Sequence, residues 1–543
     1  MRIIKYFGLA IFIAAITFFT SLAFFGNFEV SEESLSKFVE SKSIKSQFFI
    51  DRANKQILGK KYSTSYSLSQ DILSIAEESH EYHRSKIKEL ENSNASKEKI
   101  DSEWGKVIWL SNTKKHSDFS LPLVIQSGTG FVTKYKLLLL FLTFGLGIIG
   151  SLMFILPNVI LLGQPGIKND NIYHQASTNR GWIAIIVFVY LITFYVLLYF
   201  LPDYIVNWIY VVDPVSNLLN GGDASQWFLY GMFYCTAMTV MAVRMFIKYR
   251  HNLYQIVRTA VVLFFQIAFA FLIPEILARF NKPAMDFKNA WPLNYSFFFE
   301  WNIDKMIDNG TLGIFMLVWG IALSLIVVPV LAYIYGKRWY CSWVCGCGGL
   351  AETLGDPYRQ HSDKSLKAWR IERWLVHSVL VFATLMTGAV LYAYFTGAEK
   401  ILGIATYDIQ SWYGFLIGSI FAGVIGTGFY PIFGNRVWCR FGCPLAAYLG
   451  IVQRFKSRFR ITTNGGQCIS CGNCSTYCEQ GIDVRAYAQR GENIIRASCV
   501  GCGICAAVCP RGVLKLENGP EEKRIIEMPP IVGTEMAGKE KNV

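Results

Sequence analysis

Long runs of apolar residues dominate the chain and are separated by shorter polar stretches. A helix of about 20 apolar residues is long enough to cross the hydrocarbon core of a bilayer. Eight runs have about that length: 6–25, 137–156, 182–201, 227–247, 257–277, 312–335, 374–395 and 412–433. The mean hydropathy of +0.32 agrees with them. The pattern predicts an α-helical polytopic membrane protein with about eight transmembrane helices.

Polar residues mark the fourth and fifth runs. Arg244 and Arg258 lie near their ends, where long side chains are expected to extend to the membrane interface. Gln266 and Glu275 lie within the fifth run. Polar groups in spans are often functional, so two interpretations stay open for this pair, contacts between helices or the lining of a quinone pocket.

Basic residues predict the orientation of these helices. The chain begins with Arg2 and Lys5, and further Lys and Arg residues follow the fourth, sixth and eighth runs. Since cytoplasmic loops are rich in Lys and Arg, both termini are expected in the cytoplasm, with the helices in the inner (cytoplasmic) membrane. The net charge of +13 is explained by this rule, so the predicted partner is the lipid bilayer and not a nucleic acid.

The spans and the polar stretches divide the chain into eight predicted segments. None of them carries a motif for a catalytic residue. The segments are an N-terminal anchor (1–26), an extracytoplasmic helical segment (27–134), helices two to six (135–335), a loop with a first cysteine patch (336–373), helices seven and eight (374–433), a second cysteine patch (434–460), a small α+β domain (461–517) and a flexible tail (518–543).

Eight of the 14 cysteines lie in the small α+β domain. They form two runs of the pattern Cys-x2-Cys-x2-Cys-x3-Cys, which is typical of bacterial ferredoxins with two [4Fe–4S] clusters. The fourth cysteine of each run ligates the cluster that the other run holds. Cluster one is assigned to Cys468, Cys471, Cys474 and Cys509, and cluster two to Cys499, Cys502, Cys505 and Cys478.

The residues around these cysteines refine the prediction. Gly472, Gly501 and Gly503 suit loops in which a positive φ is needed. Pro510 follows the last cysteine of the second run, whereas Glu479 takes that place in the first. A pair of zinc sites is the alternative, and the double ferredoxin spacing argues against it.

Four more cysteines belong to an internal repeat, in which Gly-x-Arg-x-aromatic-Cys-x-aromatic-x-Cys follows both the sixth and the eighth run. These patch cysteines are Cys341, Cys345, Cys439 and Cys443. Three roles stay open for them: joint ligands of a further metal centre, reversible dithiols, or small residues that pack helix ends. Cys347 adds a fifth thiol beside the first patch.

The paired patches followed by a double ferredoxin run resemble the membrane polyferredoxins of the NosR, NapH and CcoG type. The similarity covers about residues 310–512 and is greatest to the membrane and C-terminal part of NosR, which supports nitrous oxide reductase. Two features depart from NosR. Ser127-Gly128-Thr129-Gly130 is the nearest string to its flavin motif and has no flavin domain around it, so covalent FMN is not predicted. The first patch reads Cys345-Gly346 in place of Cys-Pro.

The resemblance implies an electron carrier and not a self-contained catalyst. Electrons would pass between a cytoplasmic or quinol donor and a membrane or periplasmic acceptor, such as a respiratory reductase. It also implies that the patch cysteines matter functionally. Two alternatives remain: a CcoG-like redox factor for copper-cofactor maturation, and a redox-sensing regulator.

Overall fold

The computed structural model describes residues 2–93, 96–114, 119–161, 180–398, 400–401, 403–464 and 467–519. Within these ranges, eight helices are long and apolar enough to cross a membrane: Arg2–Phe24, Lys136–Ile160, Trp182–Phe200, Gln226–Lys248, Leu253–Arg279, Gly310–Tyr335, Leu366–Thr396 and Asp408–Gly428. The predicted polytopic helical fold is confirmed. The predicted tail lies outside the described residues from residue 520 onward.

The last two spans differ most from the predicted runs, the seventh at its start and the eighth at its end. The seventh begins earlier, at Leu366, because Ser365 caps it: the Ser365 Oγ accepts a hydrogen bond from the Ala368 backbone N–H at 3.2 Å. The eighth ends at Gly428, and the remaining apolar residues form a separate short helix, Tyr430–Phe433. Hydropathy alone places neither end, because caps and turns decide where a helix stops.

Four spans contain stretches of wider, π-helical winding, a feature that is frequent at functional sites. These stretches are Phe141–Gly145, Phe265–Leu272, Leu323–Val327 and Gly414–Ile425. Gln266 lies in the second of them. Its buried amide donates a hydrogen bond to the Val344 carbonyl at 2.5 Å. Gln266 therefore supports the first patch loop, and this contact favours a structural role over the lining of a quinone pocket.

Met1–Pro157 and Phe194–Phe233 form one compact unit. Between its first two spans, strands Phe28–Glu29 and Lys61–Tyr62 pair antiparallel. Its further helices are Glu32–Ser41, Gln47–Gln56, Ser65–Asn92, Lys97–Lys114, Leu121–Gln126, Phe131–Lys134 and Val206–Leu219. The Phe119 ring contacts Phe38 and Phe49 in the core. Near this core the His83 ring is buried, with Glu103 2.5 Å from its Nδ1.

Asn158–Thr193 and Tyr234–Val543 form the second compact unit. Its elements outside the spans include helices Glu300–Asp308, Arg338–Cys341, Gly346–Glu352, Asp356–His361 and Pro444–Lys456, and a strand pair, Lys400–Ile401 with Ile404–Ala405. In the C-terminal domain, strands Phe459–Thr463 and Leu514–Asn518 pair antiparallel. Helices Asn473–Thr476, Val484–Arg490 and Ile504–Ala507 lie between them in the sequence. This small domain carries the ferredoxin-type cysteine runs.

Candidate functional site

The four cysteines assigned to cluster one line a single pocket in the C-terminal domain. They are Cys468, Cys471, Cys474 and Cys509. Burial raises the pKa of the Cys474 thiol to about 12, and the other three thiols add to the shift because they lie close to it. The chain thus brings the last cysteine of the second run to the first three of the first run, as the interleaved spacing predicts.

The second set is buried more deeply. Burial raises the pKa of Cys499 to about 11, and the neighbouring Cys478 acts in the same direction. Burial also raises the pKa of Cys505, with contributions from the thiols of Cys502, Cys478 and Cys499. Cys478 accepts a hydrogen bond from the Ile482 backbone N–H at 3.4 Å. Backbone donors of this kind stabilise thiolate ligands.

The loops that carry these cysteines need unusual backbone conformations. Gly472, Gly501 and Gly503 have φ values of +81°, +61° and +74°. Gly501 is also tightly enclosed, since a Cβ atom there would lie 2.5 Å from the Arg338 Cβ. Gly501 therefore permits the loop of the second run to approach the helix that follows the sixth span.

The distances between the cysteine sulfurs distinguish these two sets from sites that bind a single metal ion. In tetrahedral zinc sites with thiolate ligands, the sulfurs lie about 3.8 Å apart. Among the described residues, which include all 14 cysteines, no three cysteine sulfurs lie within 4.8 Å of one another. The double ferredoxin spacing of the two runs is the observation that favours iron–sulfur cubanes here.

The two patches of the internal repeat have matching local structures. Each begins at a glycine with positive φ, Gly336 at +70° and Gly434 at +93°. Cys345 is the N-cap residue of Gly346–Glu352, and Cys443 is the N-cap residue of Pro444–Lys456. Both have extended backbone conformations. The sequence repeat is therefore also a structural repeat.

The structure brings the two patches together. All four patch cysteines are buried in one apolar cluster, which also contains residues of the sixth, seventh and eighth spans, including Val328, Ala383 and Ile417. Cys347 and Cys502 pack against the same cluster. The patches thus adjoin both the spans and a cysteine assigned to cluster two.

Burial and hydrogen bonds give the patch thiols different acidities. Burial raises the pKa of Cys341 to about 12, although Lys337 and Arg436 oppose the shift. A hydrogen bond from Cys347, with others from the backbone N–H groups of Gly348 and Cys347, lowers the pKa of Cys345 to about 6 against the effect of burial. Cys345 is therefore the patch residue that most readily becomes a thiolate.

Hydrogen bonds from the first patch hold the second ferredoxin run in place. Lys337 Nζ donates to the Ala497 carbonyl at 3.0 Å, and Ser342 Oγ donates to the Val500 carbonyl at 2.8 Å. From the fifth span, Gln255 Nε2 donates to the Cys502 carbonyl at 2.9 Å. These bonds fix the cluster-two loop against the patch.

A buried ion network borders both regions, and the sequence did not reveal it. Its members are Arg258, Glu352, Asp356, Arg359, Arg436 and Glu479, each at most 3% exposed. Arg359 Nη1 lies 2.6 Å from Glu479, which occupies the position where Pro510 stands in the other run. The missing proline was the one available signal. Glu479 replaces it because its carboxylate is needed by buried arginines.

The network corrects the prediction for the two arginines near span ends. Arg258 does not extend to the membrane interface but is buried, with its Nη1 2.6 Å from Glu352. Arg244 pairs with Asp356. Both side chains are retained inside the protein because buried carboxylates offset the cost of removing their charges from water.

The charges that predicted orientation also include buried ones. Lys337, Arg436 and Arg440 lie in the patches and are all buried. Arg440 Nε lies 3.0 Å from Glu372. The positive-inside rule is therefore not the whole reason for these basic residues, because each one also packs inside the patch region.

Comparison with known proteins agrees with these sites. A protein-family model described as a 4Fe-4S binding domain matches residues 315–365 and 413–462, the regions of both patches. A model described as a 4Fe-4S dicluster domain matches residues 467–514.

Similar proteins include the electron transport protein YccM of Escherichia coli, 27% identical over 30% of this chain and 47% of that protein. They also include the methylamine utilization ferredoxin-type protein MauN of Methylobacillus flagellatus, 24% identical over 28% of this chain and 53% of that protein. MauN of Paracoccus denitrificans is 28% identical over 33% of this chain and 62% of that protein. The chain spans about half the length of the first two relatives.

No solved structure matches the chain. The relatives are distant, and none of those named here carries the name NosR or NapH, so the finer resemblance that the sequence suggested is not confirmed by them. The family models and the eight spans together define a membrane iron–sulfur protein with ferredoxin-type 4Fe-4S domains, the class of module that carries electrons.

Proposed function

We propose that this chain transfers electrons between its C-terminal ferredoxin domain and the cysteine patches at the ends of the sixth and eighth spans. One observation carries the proposal: Cys502, assigned to cluster two, packs against the same apolar cluster as Cys341 and Cys439. The two regions are therefore neighbours, and the patch cysteines are buried.

The residues present fit the two clusters. Cys468, Cys471, Cys474 and Cys509 would hold cluster one, and Cys499, Cys502, Cys505 and Cys478 would hold cluster two. When bound, such clusters supply reversible one-electron storage. The chain contributes thiolate ligands, loops that admit positive φ and backbone N–H donors to sulfur, such as that of Ile482.

The physiological reaction follows from the resemblance and from the relatives' names. The chain relays electrons between a cytoplasmic or quinol donor and a membrane or periplasmic acceptor, for example a respiratory reductase. The names "electron transport protein" and "ferredoxin-type protein" of its relatives support this role. The nitrous oxide reductase system remains one candidate acceptor.

We place both termini in the cytoplasm and the spans in the inner membrane. An even number of spans supports the common side of the termini. Exposed basic residues after the eighth span, Arg454 and Lys456, support its cytoplasmic assignment. The ferredoxin domain would then receive or deliver electrons on the cytoplasmic side.

Anaerobic purification of the full chain tests the proposal. The expected protein is brown, contains iron and acid-labile sulfide, and gives reduced-cluster signals in electron paramagnetic resonance (EPR). Cys502→Ser should alter the cluster-two signal, whereas Cys235→Ser, outside both runs and both patches, should leave the spectrum unchanged. Colourless, iron-free protein would refute the assignment. Cleavage of a C-terminal tag by a protease added outside intact spheroplasts would refute it too.

A further inference from the structure

We propose that the ferredoxin domain exchanges electrons with a soluble, acidic redox protein that docks on the exposed basic surface over cluster one. The inference deepens the proposed function and rests on it, because it names the surface that meets the partner and the charge that the partner carries. We call this surface the cluster-one face. It consists of the exposed residues that line the cluster-one pocket: Ile469, Ser470, Cys471, Arg485, Pro510 and Arg511.

The two cysteine sets of the ferredoxin domain differ in their access to solvent. Cys471, in the first set, is the one exposed cysteine among the 14, all of which lie in the described part of the chain. In the second set, Cys499 and Cys505 are buried, and Cys478 and Cys502 are half-buried. A protein that approaches the domain from solvent therefore comes closer to a ligand of cluster one than to any ligand of cluster two.

Residues at the start of the fifth span cover the loop of cluster two. Tyr254 Oη donates a hydrogen bond to the Gly501 carbonyl at 2.9 Å, and Gln255 Nε2 donates one to the Cys502 carbonyl at 2.9 Å. The Tyr254 ring also encloses Gly503, where a Cβ atom would lie 2.7 Å from it. Cluster two therefore faces the membrane part of its unit, which leaves the cluster-one face for a soluble partner.

The exposed charge of the ferredoxin domain is mostly positive. Between residues 467 and 519, the exposed charged side chains are Arg485, Arg490, Glu492, Arg511 and Lys515. Glu492 pairs with Arg490 at 2.9 Å. Within the described residues, neither Arg485 nor Arg511 forms an ion pair with a carboxylate. These two arginines border the cluster-one pocket and can therefore pair with carboxylates of a partner.

The cluster-one face also has a small apolar part, which a hydrogen bond holds in place. Ile469 is 56% exposed, and the exposed Pro510 lies beside Cys509. Ser470 has a positive φ of +58°, and its Oγ accepts a hydrogen bond from Gln489 Nε2 at 2.5 Å. This bond fixes the loop that carries Ile469. A small contact with a few apolar groups and a charged rim is typical of short-lived redox complexes.

The position of the two arginines favours an acidic redox protein over an anionic lipid. A lipid headgroup needs only the charges, whereas Arg485 and Arg511 line the same pocket as Cys471 and the other three ligands of cluster one. Opposite charges on two proteins speed their encounter and fix their orientation. In each encounter one electron passes between the partner's redox centre and cluster one, so that one is oxidised as the other is reduced.

Binding of an acidic probe protein to the full chain tests the inference. The probe is an oxidised plant-type [2Fe–2S] ferredoxin, and the anaerobically purified chain is held in nanodiscs of zwitterionic phosphatidylcholine. The dissociation constant should rise with ionic strength, because salt screens exposed charges. Arg485→Glu with Arg511→Glu should weaken binding about tenfold. Lys456→Glu with Arg458→Glu is the matched control, since it reverses two exposed charges outside the cluster-one face and should leave the affinity nearly unchanged.

Stopped-flow absorbance gives the corresponding rates of electron exchange. Reduction of the chain by reduced ferredoxin should slow as salt is added, and it should slow further in the Arg485→Glu, Arg511→Glu variant. A basic c-type cytochrome is the contrasting probe. Its oxidation of the reduced chain should become faster with added salt, because screening weakens the repulsion between like charges.

The outcomes separate the inference from the proposed function. Iron-free protein would overturn both. Iron-loaded protein that binds ferredoxin equally at all salt concentrations, or binds the basic cytochrome more tightly, would overturn the docking surface and leave the ferredoxin assignment intact. An affinity unchanged by Arg485→Glu with Arg511→Glu would leave anionic lipid as the ligand of these arginines and would also overturn the inference. Because the salt dependence is measured on the unaltered chain, the test holds even if that variant does not fold.

Discussion

Arg436 and Glu479 form a buried ion pair at 2.8 Å, although one follows the eighth span and the other lies in the ferredoxin domain. Arg436 also contacts the Cys439 sulfur, and Glu479 directly follows Cys478. The pair therefore connects a patch cysteine to a cysteine assigned to cluster two. Buried charges hold these two cysteine-bearing regions in a fixed relation.

The first prediction concerns the loss of this connection. Glu479→Gln should destabilise the protein by about 3 kcal/mol, because Arg359 and Arg436 lose a buried carboxylate partner. Denaturant unfolding followed by cluster absorbance measures the change. Glu492→Gln breaks an exposed pair with Arg490, whose attraction is screened by water, and should cost far less stability. Equal effects of the two substitutions would contradict the structural role of Glu479.

The second prediction concerns the charge of Lys337. Lys337→Gln should make the reduction potential of cluster two more negative, because a nearby positive charge stabilises the reduced form and Lys337 acts on Cys499. A shift of roughly 60 mV would be a tenfold change in a one-electron equilibrium constant. EPR-monitored redox titration gives the potential. Lys456→Gln removes an exposed charge and should leave the reduction potential of cluster two nearly unchanged. If Lys456→Gln shifted this potential as much as Lys337→Gln does, the effect of Lys337 would not be local.

The third prediction separates strain from close packing. Gly472→Ala and Gly501→Ala both place a side chain at positive φ, at a cost of about 1–2 kcal/mol. Only the Gly501 change also brings a Cβ atom to 2.5 Å from Arg338 and 3.0 Å from Phe459, whereas Gly472 has open space around it. Iron content and unfolding should therefore be affected more strongly by Gly501→Ala. A larger effect of Gly472→Ala than of Gly501→Ala would contradict the close packing of Gly501 against Arg338 and Phe459.

The fourth prediction concerns acid sensitivity between the first two spans. Burial lowers the pKa of His83, so the unfolded chain takes up this proton first and stability begins to fall below about pH 6.5. Burial opposes the charge of Glu103, but hydrogen bonds from Lys106, His83 and Lys86 lower its pKa to about 2. The contribution of Glu103 is full above about pH 4.5 and is lost as the pH falls towards 2.

Hydrogen exchange of the helix Ser65–Asn92 in the full chain measures this effect. Protection of the backbone amides should fall as the pH drops below about 6.5, and again as it drops from about 4.5 towards 2. Glu103→Gln should remove the lower part of the dependence, since the amide does not titrate. If that variant kept the complete profile of the unaltered chain, another group would be responsible.

The sequence predicts those features that depend on short stretches of chain. Span number follows from apolar run length, and the ferredoxin loops follow from cysteine spacing, with Gly501 and Gly503 at the expected positive φ. The interleaving of Cys509 with the first run follows from the same spacing. Each of these is a local pattern or a known geometric unit.

The buried ion network depends on contacts between distant segments, and no local pattern predicts it. Arg258 resembles an interfacial arginine, and Lys337 resembles a loop charge that sets orientation. In the structure both are buried, because Glu352 neutralises the first and the Ala497 carbonyl accepts a hydrogen bond from the second. Partners so far apart in the chain are found only when the fold is known.

The patch is built from two half-sites, and this has a consequence for biosynthesis. Cys341 and Cys345 leave the ribosome before the seventh and eighth spans exist, while Cys439 and Cys443 follow them. Neither half can bury its cysteines alone, because the apolar cluster around them contains residues of the sixth, seventh and eighth spans. We therefore expect the patch to close only after the eighth span has entered the bilayer, so that a chain truncated after residue 400 would leave Cys341 and Cys345 open to a thiol-reactive reagent.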